Sequence, residues 1–317
     1  MGEIKREEFW YDSRDEVTKI HAVRWLPECS RPTAIVQLVH GMTEHVLRYT
    51  EVAEFLASQG ILVVANDHLG HGQSRREDMP FGYFCKRDPA TVAVRDVHRL
   101  KKLTQERYPG VPYIILGHSM GSFILRDYLS RYGTGIDGAV IVATGHQSPV
   151  TAAFAYWFVR IQALFLGQTH VGKLVDHMAF GQYNKRCEPR RTDADWLNSQ
   201  PEEADLFCAD PLCGNTFTLN GFMTLFTLVR RACGKDALKK VPKDLPVLFL
   251  AGKEDPVGDY GTGVEKAYRS FTESGMTDVT CRLYDGARHE ILREAQKQEV
   301  FSDILAFVHR VVEKEKA

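Results

Sequence analysis

The 317-residue chain has no uninterrupted run of about 18 uncharged apolar residues, so no membrane-spanning helix is expected. The nearest stretch, residues 151–167 (TAAFAYWFVRIQALFLG), is short and broken by Arg160 and Gln162. There is no excess of either charge: the formal net charge is -1. Aromatic residues are not interleaved with basic clusters, so no nucleic-acid partner is expected. No G-x-x-x-x-G-K-[ST] loop is present, and the G-H-G within residues 66–74 is too little for a dinucleotide loop. No internal repeat or low-complexity tract interrupts the chain. Residues 1–17 are charged and lack the apolar core of a secretory signal. Gly2 lacks the downstream Ser or Thr of a myristoylation signal.

The seven cysteines (Cys29, Cys85, Cys187, Cys208, Cys213, Cys233 and Cys281) are odd in number and form no CxxC pair. A disulfide framework is not expected, and a reducing, cytoplasmic location is. His40, His45, His68 and His71 cluster in sequence, but no cysteine pair or carboxylate completes a familiar tetrahedral spacing. No metal and no cofactor are expected.

With 44% hydrophobic and 26% charged residues, the chain can bury a sizeable core. Short apolar, β-branched runs recur at residues 33–40, 61–65, 113–117, 136–143, 246–251 and 279–284, preceded by two partly alternating segments at 8–11 and 17–25. Helical periodicity fills residues 49–59, 91–107, 120–132, 264–274 and 292–314. Such alternation predicts an α/β fold with a mostly parallel, eight-stranded-type sheet covered on both faces. The pattern breaks at 147–234, where Phe-, Leu- and Met-rich helical segments replace strands. The expected organisation is a core of residues 1–146 and 235–317 carrying a helical insertion of residues 147–234.

The chemistry centres on Gly117-His118-Ser119-Met120-Gly121, a G-x-S-x-G motif between a strand and a helix. A sharp turn there lifts the serine hydroxyl clear of the backbone, and the flanking glycines allow strand and helix to approach. The following helix N-terminus presents unsatisfied N–H groups to developing negative charge. A nucleophilic serine needs a base, and this motif's order is Ser, then Asp or Glu, then His. Of the downstream histidines His146, His170, His177, His289 and His309, only His289 lies in a loop after the last strand. The acid candidate is Asp255, in the loop after residues 246–251, with Glu254 and Asp259 as rivals. For the oxyanion, the early strand ending at His40-Gly41-Met42 points to the backbone N–H groups of Met42 and Met120.

Three motifs together, His40-Gly41-Met42-Thr43-Glu44-His45, Asp67-His68-Leu69-Gly70-His71-Gly72-Gln73-Ser74 and Gly117-His118-Ser119-Met120-Gly121, resemble the monoacylglycerol lipase and lysophospholipase branch of the α/β hydrolases, grouped with the serine aminopeptidase S33-like proteins. The resemblance runs over roughly residues 17–311. Residues 179–197 are similar to the cap of bacterial lysophospholipases, which marks a bacterial-type member. It implies Ser119 as nucleophile, Asp255 as acid, His289 as base, and Met42 and Met120 as oxyanion-hole donors. The family usually has a small residue where Met42 stands.

The resemblance also implies that the insertion is a cap whose helices line an acyl channel, with Gly41, His118, Phe154 and Phe222 near the substrate. The expected activity is hydrolysis of a lipid-like carboxylic ester, a monoacylglycerol or lysophospholipid. Transient contact of the cap with membranes or micelles goes with it. The alternatives are a small-molecule carboxylesterase, an aminopeptidase or amidase using Glu202, Glu203 and Asp205, or a non-catalytic binding protein.

Overall fold

The computed structural model describes residues 4–315, so Gly2 lies outside the described residues. In chain order the strands are β1 (Lys5–Asp12), β2 (Lys19–Leu26), β3 (Ala34–Val39), β4 (Ile61–Asn66), β5 (Tyr113–His118), β6 (Gly138–Val142), β7 (Val247–Gly252) and β8 (Val279–Tyr284). They form one sheet in the order β1-β2-β4-β3-β5-β6-β7-β8. The β1–β2 and β2–β4 pairings are antiparallel, and every other pairing is parallel.

The continuous apolar runs are explained by burial on both faces. Every residue of β3, β4, β5 and β7 is buried. Successive side chains serve opposite layers: Tyr113 and Ile115 join one core cluster, Ile114 and Leu116 the other. Helices α1 (Thr50–Ser58) and α9 (Lys297–Lys314) cover the second cluster, while α2 (Pro89–Arg107), α3 (Met120–Tyr132) and α8 (Thr262–Glu273) cover the first. The sheet-edge strand β8 alternates in burial instead, with Thr280 and Arg282 exposed.

The final helix begins at Lys297 and not at residue 292. Residues 291–296 turn because the Glu294 carboxylate accepts the backbone N–H of both Ser199 and Arg288. A helix reaching back to 292 would remove Glu294 from that position.

Four helices lie between β6 and β7: α4 (Pro149–Leu166), α5 (Lys173–Phe180), α6 (Pro201–Ala209) and α7 (Leu219–Ala232). They divide into two kinds. Helix α7 is capped by Thr218, whose side chain accepts the Gly221 N–H. Asn220 bolts it to the body, accepting the Phe84 N–H and donating to the Cys85 carbonyl. Its apolar face belongs to the same cluster as α2 and α3. Helix α4 packs on α7 through buried Ala152 and Val159, and is otherwise largely exposed. By length and composition alone α4 is long and apolar enough to cross a membrane. Two interrupting polar residues did not prevent this.

The Phe222 ring, expected near the substrate, is fully buried and packs against Phe217, Phe226 and Phe180. It holds α7 to the body and is not among the residues lining the cavity that Ser119 faces. Phe222→Ala is therefore expected to cost about 3–5 kcal/mol of stability, read as a lower chemical-denaturation midpoint, with the hydroxyl of Ser119 still reactive in the folded fraction.

Candidate active site

Ser119 sits at the tip between β5 and α3 with φ 54° and ψ -120°, a left-handed conformation costly for a non-glycine residue. The turn is over-determined by its neighbours. The Ser119 N–H donates to the Val142 carbonyl at 3.0 Å, and its own carbonyl accepts the Ser122 N–H and hydroxyl. Glycine is required at 121, where a Cβ would lie 2.0 Å from the Val39 carbonyl oxygen. It is required at 117 too, where a Cβ would meet the Gly121 carbonyl oxygen at 2.4 Å. Helix α3 can thus lie directly on the end of β3, bringing Ser119 beside the 41–45 loop.

His289 follows β8, and its Nδ1 lies 3.0 Å from Asp255 Oδ2. A carboxylate only accepts, so Nδ1–H donates and Nε2 is left with its lone pair. Asp255 follows β7 and is fully buried. Its other oxygen accepts the Val257 N–H at 2.8 Å, which fixes the carboxylate plane. Of the three acid candidates it is Asp255 that faces the histidine. The His289 ring is flanked by Trp196 from the insertion and by His118, with centroids 5.1 and 4.9 Å away.

Ser119, His289, Met42, Met120, His118 and Phe154 all line one cavity of about 1010 Å³. Phe158, Met178, Phe180 and Phe226 supply much of its apolar wall. Gly41, expected at the substrate, does not line the cavity. A Cβ there would sit 3.0 Å from Ser119 Cβ and 2.6 Å from Glu44 Oε1, so the position is a packing contact.

The sequence did not disclose the buried charges beneath this cavity. Glu44 Oε1 accepts the Gly41 N–H, the Tyr49 hydroxyl at 2.7 Å, and faces His118 Nδ1 at 3.3 Å. His118 Nε2 lies 3.2 Å from the His289 carbonyl. Both ring nitrogens therefore face acceptors, the arrangement that suits imidazolium. Burial pushes the His118 pKa down, but the hydrogen bond and charge of Glu44 outweigh it, and the net shift is upward. For Glu44, burial pushes up, and the hydrogen bond and charge of His118 carry the net value below the ordinary range. Arg48 Nη2 reaches both oxygens of Glu290, at 2.7 and 2.9 Å, and its Nε is 3.7 Å from Glu44 Oε2. Two cations and two anions thus link the 41–48 segment to the residue after His289. The only sequence signal was the spacing of Glu44, Arg48 and Tyr49; nothing local pointed to Glu290.

The histidines weighed as ligands at 40, 68 and 71 are committed to the backbone. His40 Nδ1 faces the Gly41 carbonyl, and its Nε2 accepts the His68 N–H. Burial, with the neighbouring imidazoles, holds His40 neutral and pushes His68 down to about 3.

Residues 30–296 match the family described as serine aminopeptidase, S33. The chain belongs to this family. It is 31% identical over 271 residues to a monoglyceride lipase of Mus musculus, covering 85% of this chain and 79% of that one. It is 27% identical over 292 residues to a monoacylglycerol lipase of Mycolicibacterium smegmatis, covering 90% of each. Its fold overlays a thermostable carboxyl esterase from Bacillus coagulans, crystallised with glycerol, at a TM-score of 0.89 and 28% identity, covering 98% and 100% of the two chains.

Because the His118–Glu44 pair is buried, Glu44→Gln is expected to lower stability by about 3 kcal/mol at pH 6. The pH dependence has a defined sign. His118 is raised from 6.5, so its contribution is full below about 6.5 and fades as pH rises through the folded value. Glu44 is lowered from 4.5, so its contribution is full above about 4.5 and fades as pH falls. The stability gap between wild type and variant, from urea unfolding at several pH values, should be widest between these limits.

Proposed function

We propose that the chain hydrolyses carboxylic esters of lipid-like acyl chains through an acyl-enzyme on Ser119, monoacylglycerols being the substrates that suit it best. The observation that carries the reading is the convergence of Ser119 and the Asp255–His289 pair on one large, mainly apolar cavity.

In this mechanism His289 Nε2 takes the Ser119 hydroxyl proton as Oγ attacks the ester carbonyl. Asp255 holds the imidazole tautomer and stabilises the imidazolium that forms. The oxyanion forms beside the backbone N–H groups of Met42 and Met120, which need no reorganisation. Collapse breaks the ester C–O bond, and His289 Nε2–H protonates the departing alcohol oxygen. Water then enters, gives its proton to His289, and the acyl chain leaves as a carboxylic acid with Ser119 restored. His118 holds the His289 carbonyl from below throughout.

Helices α4 to α6 act as the cap in this reading, and α7 belongs to the body. The apolar cavity wall receives the acyl chain, as suits the names of the mouse and mycobacterial relatives. An aminopeptidase would need a carboxylate free to bind a substrate ammonium. None of the acidic residues of α6 lines the cavity: Glu203 pairs with Arg293, Asp205 with Arg191, and Glu202 is exposed. A small-molecule esterase remains the second reading, favoured by the likeness to the Bacillus coagulans carboxyl esterase.

Ser119→Ala should abolish turnover, and Asp255→Asn should lower kcat by about ten-thousand-fold. Hydrolysis of p-nitrophenyl esters from acetyl to palmitoyl, beside monoacylglycerol and lysophosphatidylcholine, checks the assignment. Rates that peak at acetyl or butyryl and vanish for monoacylglycerol would replace it with the small-molecule reading.

The cap also carries an exposed apolar surface: Phe154 is 74%, Leu164 73% and Phe165 83% accessible, with Leu174 and Met178 of α5 nearby in sequence. We assign this surface to transient contact with a lipid interface, the physical state in which long-chain monoacylglycerols are presented. Co-flotation with phosphatidylcholine vesicles should be lost in Leu164→Asp/Phe165→Asp, while hydrolysis of a soluble butyryl ester persists. A protein that stays wholly in the soluble fraction would rule the contact out.

A further inference from the structure

Beside the active-site cavity, His45, Asp210 and Cys213 bring one donor atom each to within 4.8 Å of one another. The three come from segments 165 residues apart in sequence, which is why no spacing motif announced them. His45 Nε2 lies 2.8 Å from Asp210 Oδ2. The Asp210 side chain is oriented by its other oxygen, which accepts the Leu212 N–H at 2.9 Å. Cys213 is brought round by a turn in which its N–H donates to the Asp210 carbonyl. The same two segments are tied once more by the Gly214 N–H, which donates to the Thr43 carbonyl at 2.9 Å. His45 and Cys213 are buried, and Asp210 is partly exposed, leaving a path for an ion.

We propose that His45, Asp210 and Cys213 form a binding site for a zinc-like divalent cation, and that its occupation inhibits the enzyme. The donor set is imidazole, carboxylate and thiolate, the mixture zinc prefers over magnesium or calcium. Binding shifts the His45 proton from Nε2 to Nδ1 and releases one proton from the Cys213 thiol to solvent. The filled site is then electrically neutral, which suits its burial. Three protein ligands leave a fourth position for water, on the side where Cys213 lines the cavity.

Inhibition follows from geometry. At zinc–nitrogen and zinc–oxygen lengths of about 2.0–2.2 Å, tetrahedral ligands stand about 3.3 Å apart. The His45–Asp210 contact must therefore open by about half an ångström from its hydrogen-bonded 2.8 Å. His45 ends the loop that carries Met42, and a preorganised site tolerates displacements of only about that size. The binding claim is independent of the ester-hydrolase reading; the inhibition claim rests on it.

The test uses the whole chain, stripped with a chelator and titrated with Co²⁺ and then Zn²⁺. The expected result is a thiolate-to-cobalt charge-transfer band saturating at one ion per chain and erased by zinc. It should be absent in Cys213→Ser and at least tenfold weaker in affinity in Asp210→Asn, whose carboxamide still accepts the His45 N–H. A band that survives Cys213→Ser, or none at one equivalent, overturns the site. Exposed Cys29 and Cys208 would then account for any binding. If Cys213→Ser fails to fold by circular dichroism, Asp210→Asn decides. Zinc should also lower butyryl-ester kcat/KM at least tenfold, reversibly with chelator. Binding through Cys213 with unchanged kcat/KM overturns the inhibitory role.

Discussion

The site depends on one close approach: the backbone of Gly121 against the carbonyls of Val39 and His40. Any side chain at 121 would force α3 away from the end of β3. With it would go the strained turn that holds Ser119 at positive φ and the proximity of Ser119 to the 41–45 loop. The strain is sustained because the surrounding sheet is buried on both faces and cannot relax locally. The same crossing sets Gly41 hard against Ser119 and Glu44, so nucleophile and loop are one packed unit.

Beneath that unit lies a charge arrangement that packing alone would not favour. Burying Glu44, His118, Arg48 and Glu290 costs desolvation, which the pairing of opposite charges offsets. What they supply is position. Glu44 grips the Gly41 N–H at one end, and His118 meets the His289 carbonyl at the other. Arg48 clamps Glu290, the residue after the base. Two loops that no strand connects are thereby held in register. The balance of two cations and two anions lets this happen without a net buried charge.

Strands β3 to β7 were legible from apolar runs, since parallel strands covered on both faces impose continuous hydrophobicity, whereas antiparallel β1 and β2 were legible as partly alternating segments and the edge strand β8 alternates in burial. The Ser119 turn was legible because glycine at 117 and 121 has a steric cause. His289 and Asp255 were legible by order and by position after strands. What escaped was whatever depends on contacts distant in sequence. The Arg48–Glu290 pair spans 242 residues, and the His45–Asp210 contact spans 165. Gly41 was placed at the substrate by the resemblance, but its required smallness serves packing against Ser119 and Glu44. The resemblance placed Phe222 in an acyl channel, and α7 instead turns that ring into the body.

Helices α4 and α7 show why the two halves of the insertion behave differently. Both are rich in Phe and Leu, yet one is bolted down and the other is mostly bare. The difference lies in their polar residues. Asn220 and Thr218 give α7 buried hydrogen bonds to the 82–85 loop, and these fix which face turns inward. Helix α4 has no comparable anchor among the described residues beyond the Ser148 cap, and it rests on α7 through small Ala152 and branched Val159. An apolar helix held by shape alone can shift at little cost, whereas one held by buried polar pairs cannot. If α4 is the moving wall of the cavity, motion there leaves the Ser119 turn and its charge clamp untouched, because those rest on the sheet.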